Sequence, residues 1–260
     1  MALVHNFDSI LGSHFVFCGN DIILQNGALP DEKIIRKALE LHVTSDWYNE
    51  KEYDSTVIEL EKNCPAPAGC EAVPLRDFFW TFKDKAEDVN KAARAKGLLN
   101  FRKNKRYCAC CGGALKDDEV FTARTCVQCG KQFFPQLEPA VIINVKKDNK
   151  ILLAKHKNRT KNFYSCIAGF VETGETIEET VAREVKEETG ITVKNIRYTG
   201  SQAWPYPDQL MLAFCCEYES GEIIIQEDEL EDARWFDMDN LPEIPPPGSV
   251  AYNLIHHRWG

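Results

Sequence analysis

The sequence has no apolar run long enough to cross a membrane, and no excess of basic residues. Met1–Asp8 carry no basic stretch followed by an apolar one, so neither a secretory leader nor a membrane partner is expected. Lysine and arginine total 31 against 40 acidic residues, a net charge of -9. That balance argues against a general nucleic-acid coat or an anionic membrane surface, but leaves room for a nucleotide substrate whose charge a metal offsets locally. A disulfide framework is also missing. The cysteines number 11, an odd count, and Cys18, Cys64, Cys70, Cys110, Cys166, Cys215 and Cys216 follow no pairing pattern. A reduced, cytoplasmic protein follows from this.

What the chain does have is concentrated between Gly169 and Ile191. A loop with glycines precedes a helical signature. Thr176 with Glu179 forms a capping box, so the helix is predicted to begin at Ile177, and Gly190 stops it. At about 100° per residue, Ile177, Val181 and Val185 make one apolar stripe. Glu188 falls within that stripe, Glu184 just beyond its edge and Glu187 on the same flank, whereas Glu179 and Lys186 point to solvent. Carboxylates beside a buried face need a partner or a metal. Spacing at i, i+3 and i+4, with Arg183 adjacent, predicts a site for Mg²⁺ or Mn²⁺, which prefer oxygen ligands.

Gly169, Glu175, Arg183, Glu184, Val185, Glu187, Glu188, Gly190 and Ile191 occupy every fixed position of G-x5-E-x7-R-E-U-x-E-E-x-G-U, with U aliphatic. The stretch thereby resembles the Nudix box. The resemblance implies hydrolysis of nucleoside diphosphate conjugates by metal held on the helix glutamates. It also implies an α/β/α Nudix sandwich with a mixed sheet, an α+β architecture.

Cys108-x2-Cys111 and Cys126-x2-Cys129 predict a structural zinc ribbon with four thiolates and no open coordination position. Cys110 is read as a bystander. Arg102–Arg106 is a short basic run, read as a solvated helix end with a contact to substrate phosphates as the alternative. Residues 1–101 read as a small N-terminal α+β domain with a linking helix over 86–101, then a ribbon over 102–135 and a Nudix domain over 136–260. Strands are predicted at His14–Cys18, Asp21–Leu24, Ser55–Leu60, Ala140–Val145, Ile151–Ala154, Ser165–Phe170, Val193–Ser201, Met211–Tyr218, Ile223–Ile225 and Ala233–Phe236, with helices at Glu32–Leu41 and Val250–His257. Cys64 and Cys70 flank a Pro/Ala/Gly loop and are read as ordinary thiols, a metal pair being the alternative.

Ser201–Gln209 holds two prolines and two aromatics and is read as a stiff loop offering an aromatic wall to a flat ring. It resembles the S-Q-P-W-P-F-P-x-S array of the NADH pyrophosphatase subfamily, from which Ala203 and Gln209 depart and Tyr206 differs mildly. Pro245–Gly248 also follows that subfamily. The resemblance implies cleavage of NAD(H) to nicotinamide mononucleotide and AMP, removal of the NAD cap from RNA in some members, and a homodimer. It implies substrate contacts at Phe134, Phe170, Gln202, Trp204, Tyr206, Gln209, Met211 and Ala251, with Ala168 and Glu229 joining Glu184, Glu187 and Glu188 around the catalytic metal. Catalytic roles fall to Arg183 and the three helix glutamates. The rival readings are a non-hydrolysing sensor whose ribbon grips RNA, and a hydrolase of another conjugate such as ADP-ribose.

Overall fold

A computed structural model describes residues 2–6, 8–41, 43–157, 162–205 and 208–257. The chain divides into two compact units, Met1–Gln136 and Leu137–Gly260. Among the described residues, no helix is long and apolar enough to cross a membrane.

In the first unit, β1 (Ser13–Cys18), β2 (Asp21–Gln25), α1 (Glu32–Glu40), β3 (Thr44–Glu50), β4 (Ser55–Leu60), β5 (Cys70–Pro74), α2 (Leu75–Thr81) and α3 (Ala86–Asn104) follow one another. The sheet order is β3-β4-β1-β2-β5, with β1 and β4 parallel. Val16, Ile23 and Ile58 pack with Ile35, Ala38 and Leu39 of α1. On α3, the Ala95 carbonyl accepts from the buried Tyr48 hydroxyl at 3.2 Å, and Lys96 pairs with Glu59 at 3.2 Å. β3, β5 and α2 are additions to the elements expected. Thr44–Glu50 is too polar in sequence to read as a strand, yet it gains its partner from β4. α2 has no side-chain cap, so only the burial of Leu75, Phe78 and Phe79 marks it.

Three short strands, β6 (Leu115–Asp117), β7 (Arg124–Cys126) and β8 (Gln132–Phe133), make an antiparallel sheet that brings the cysteine pairs together. Arg102 is not a solvated helix end. It is buried, donates to both carboxylate oxygens of Asp46 at 2.7 and 2.8 Å, and pairs with Asp117 of β6. The ion pair takes Arg102 out of the basic run, whereas Lys103 and Arg106 stay exposed at the helix end as expected. Cys18, Cys64 and Cys70 are half-buried against the α1 face of the sheet as free thiols.

The second unit is built on β9 (Glu138–Lys147), β10 (Lys150–His156), β11 (Ile167–Phe170), α4 (Ile177–Thr189), β12 (Thr192–Pro205), β13 (Asp208–Ser220), β14 (Leu230–Asp237) and α5 (Val250–Ile255). The order β12-β13-β9-β10-β14, with β11 also on β9, mixes one parallel pair, β13 with β9, among antiparallel ones. Alternate residues of β9 face opposite layers. Val141, Ile143 and Val145 pack with Val181 and Val185 of α4, whereas Ala140 and Ile142 pack with Val250, Ala251 and Leu254 of α5. The result is an α/β/α sandwich with a mixed sheet, as expected. Two expectations change. Ile223–Ile225 is not a strand. Its backbone turns to the end of α4 instead, where Ile224 N–H donates to Thr189 O and Gln226 N–H to Glu188 O. Ser201–Pro205 is not a loop either, because it pairs with β13 up to the Pro205–Asp208 register position. Cross-strand bonds hold Ser201–Pro205, Trp204 among them, extended.

Candidate active site

α4 begins and ends where its caps dictate. Thr176 Oγ1 accepts from Glu179 N–H, the Glu179 carboxylate accepts from Thr176 N–H, and Gly190 takes φ 73°. Caps at both ends set the phase of the helix, so its wheel positions become positions in space. Val181 and Val185 are fully buried, Glu188 is 1% exposed, Glu184 is half-buried and Glu187 lies at the surface.

Arg183 organises the carboxylates. Nε donates to Glu175 Oε1 at 2.5 Å and Nη2 to Glu175 Oε2 at 2.9 Å. Nη1 donates to Glu184 at 2.8 Å and to Glu187 at 3.0 Å, and Nη2 also reaches the Phe170 carbonyl at 3.0 Å. These contacts use all five N–H donors of a guanidinium. Arg183 therefore braces the glycine loop against α4, and in this arrangement has no donor left for a phosphate. Its hydrogen bonds hold Glu175 down to a pKa of about 2. Glu184 moves the other way. Burial raises its pKa first, against the pull of Arg183, and Glu187 and Glu229 add to the rise.

Gly169 makes room for Glu184. A Cβ at residue 169 would lie 1.9 Å from the Glu184 carboxyl carbon and 2.0 Å from its nearer oxygen. Glu184, Glu187, Glu188 and the electrostatically coupled Glu229 offer hard oxygen donors, which suit Mg²⁺ or Mn²⁺ and not a softer ion. With Arg183 between them, the helix carboxylates stand farther apart than the spacing suggested. Among the described residues, only the four cysteines form a group of three or more metal-ligating side chains with donor atoms all within 4.8 Å.

That second centre fits zinc. Tetrahedral coordination at about 2.3 Å places sulfurs roughly 3.8 Å apart. Here Cys108 and Cys129 stand at 3.7 Å, and Cys111 and Cys126 at 3.5 Å. Backbone N–H groups of Cys129 and Gln128 point at Cys126 Sγ and pull its pKa down to about 6. Cys110 stays outside the cluster and accepts from Lys131 Nζ at 3.0 Å.

The residues expected around the substrate separate into groups. Phe170, Ala140, Met211 and Gln202 stand side by side across β11, β9, β13 and β12, in one row of the sheet. Ala140 and Met211 pack on the α5 face, together with Ala251 and the half-buried Trp204. Phe170 is largely exposed. Gln209 is opposite Trp204, and Ala168 is half-buried in β11 opposite Ile142. The Gln202 amide bonds to the backbone, with Nε2 donating to Gly248 O and Oε1 accepting from Val250 N–H. Phe134 belongs to the first unit, tilted against Phe121. Tyr206 lies outside the described residues. Sequence reasoning missed the roles of Gly248 and Val250. Besides the Pro245–Gly248 run, a signal in the segment was Ser249, which caps α5 by accepting from Tyr252 N–H.

Residues 136–256 match the model described as NUDIX domain. The second unit is a NUDIX domain. The chain is 46% identical over 164 residues to an NAD-capped RNA hydrolase NudC of Escherichia coli O1:K1 / APEC, and equally to that of Escherichia coli strain SMS-3-5 / SECEC. Each match covers 63% of this chain, which thus spans 64% of the length of these curated relatives. A NUDIX hydrolase from Nitrosomonas europaea, solved as a crystal structure, is 23% identical with a TM-score of 0.45, over 53% of this chain and 84% of that one.

Proposed function

We propose that the chain is a divalent-metal-dependent hydrolase of the pyrophosphate bond of NAD(H), giving nicotinamide mononucleotide and AMP, and that it also removes the NAD cap from RNA. The observation that carries this is the set of carboxylates on the NUDIX helix that Arg183 and Gly169 organise. The relatives that bear the name NAD-capped RNA hydrolase support the choice of substrate.

Glu184, Glu187, Glu188 and Glu229, with the Ala168 backbone, would hold Mg²⁺ or Mn²⁺. When bound, such ions polarise the pyrophosphate and lower the pKa of an attacking water. Arg183 keeps Glu184 and Glu187 in place without touching the substrate. Phe170, Met211, Trp204, Tyr206, Gln209 and Ala251 would shape the pocket for the nicotinamide end. The four cysteines would bind a structural Zn²⁺. The reading also takes in the domain division 1–101, 102–135 and 136–260 and, from the subfamily resemblance, a cytoplasmic homodimer.

The experiment is product analysis after incubation with NADH, NAD, ADP-ribose and 5′-NAD RNA, each with Mg²⁺ or Mn²⁺. Nicotinamide mononucleotide and AMP are expected, with NADH cleaved more efficiently than ADP-ribose. Faster turnover of ADP-ribose would move the assignment to another conjugate. No cleavage of any substrate would remove the enzymatic reading.

A further inference from the structure

Gln202 sits in a row with Phe170 and Met211, yet its side chain serves the backbone of another segment. Nε2 donates to Gly248 O at 3.0 Å and Oε1 accepts from Val250 N–H at 2.9 Å. Val250 is the first residue of α5, and its N–H is one of those a helix cannot satisfy internally. Ser249 covers Tyr252 N–H from within the segment, and its hydroxyl donates to Pro246 O at 2.9 Å. From the sheet, Gln202 of β12 reaches this turn through both ends of its amide.

The two ends of this tie carry different parts of the pocket. Gln202 is on β12, two residues before Trp204, so both side chains emerge from the same face of the sheet. Val250 is next to Ala251, and both pack in the core that includes Met211 and Trp204. Apolar packing alone is non-directional and lets α5 slide along the sheet. A planar amide that donates to one backbone atom and accepts from another two residues on sets both distance and register.

We infer that Gln202 is a positioning residue: its amide sets the spacing between the Trp204 strand and the Ala251 end of α5, and so the width of the slot that admits the substrate's ring. The inference rests on the proposed NAD(H) reading. It predicts a selective effect. Loosening the tie weakens recognition of the nicotinamide ring but leaves the carboxylate site on the opposite layer as it was.

The test compares Gln202→Met, which keeps length and loses both bonds, with Gln202→Glu, which keeps the acceptor and loses the donor. Wild type on NADH and ADP-ribose tests the substrate reading first, independently of either variant. For Gln202→Met, KM for NADH should rise about tenfold with kcat within about twofold, while KM for ADP-ribose changes little, since the lost tie changes the slot for the ring and not the carboxylate site. Gln202→Glu should fall between Gln202→Met and wild type. Hydrogen exchange at the Val250 amide should accelerate in Gln202→Met, a readout that needs no substrate. Equal KM changes on both substrates, or an unchanged Val250 exchange rate, would overturn the assignment.

Discussion

Glu184 occupies the volume that any side chain at residue 169 would fill, so Gly169 is required for space and not for backbone freedom. Gly169→Ala should therefore push the Glu184 carboxylate away from Arg183 while β11 keeps its ladder. Turnover is expected to fall at least a hundredfold, with the unfolding free energy within about 1 kcal/mol of wild type, because a flexible side chain can yield. Kinetics alongside urea unfolding will check this, and an active Gly169→Ala would separate Glu184 from the chemistry. At the same scale, Glu187→Gln and Glu188→Gln keep shape and remove a charge. Turnover at saturating Mg²⁺ should drop by orders of magnitude, while thermal stability without metal stays level or rises, since crowded carboxylates repel. Near wild-type turnover in both variants would remove them from the mechanism.

α4 works as a unit because its caps fix where the turn count starts. The exposed Thr176–Glu179 box sits away from Glu184, Glu187 and Glu188 on the helix. Thr176→Ala should cost about 1 kcal/mol of stability, typical of a lost N-cap, and leave kcat at saturating metal nearly unchanged. Chemical denaturation and steady-state kinetics measure the two effects separately. A fall in kcat with no loss of stability would mean that the box positions the carboxylates directly.

On the scale of the whole chain, each unit has its own core, and the first also holds the cysteine cluster. Asp117 of β6 receives Arg102 from α3 and a hydrogen bond from His5, so the ribbon is fastened to the rest of its unit through charge. Cys126→Ser should lose the metal and lower the melting temperature of the first unit, because a closed thiolate site contributes folding free energy directly. Elemental analysis of wild type should find about one zinc per chain. Zinc-free wild-type protein with the same melting temperature as a zinc-loaded sample would exclude a structural ion.

The local rules were legible without coordinates. The capping box, the αL glycine and the wheel position of Glu188 follow from residue identity and helical period, and α4 realises all three. The paired cysteines likewise announced their cluster through spacing alone. Tertiary structure decided what depended on partners distant in sequence. Arg102 became a buried ion pair because Asp46 and Asp117 arrive beside it from elsewhere in the chain. Ser201–Pro205 became a strand because β13 supplies the hydrogen bonds, and Ile223–Ile225 stays out of the sheet with its backbone bonded to the end of α4. Gln202 bonds to the backbone beside α5 because Val250, 48 residues later, presents an N–H to it. Local propensity acts over a helical turn, whereas an unsatisfied polar group accepts whichever partner the fold brings near.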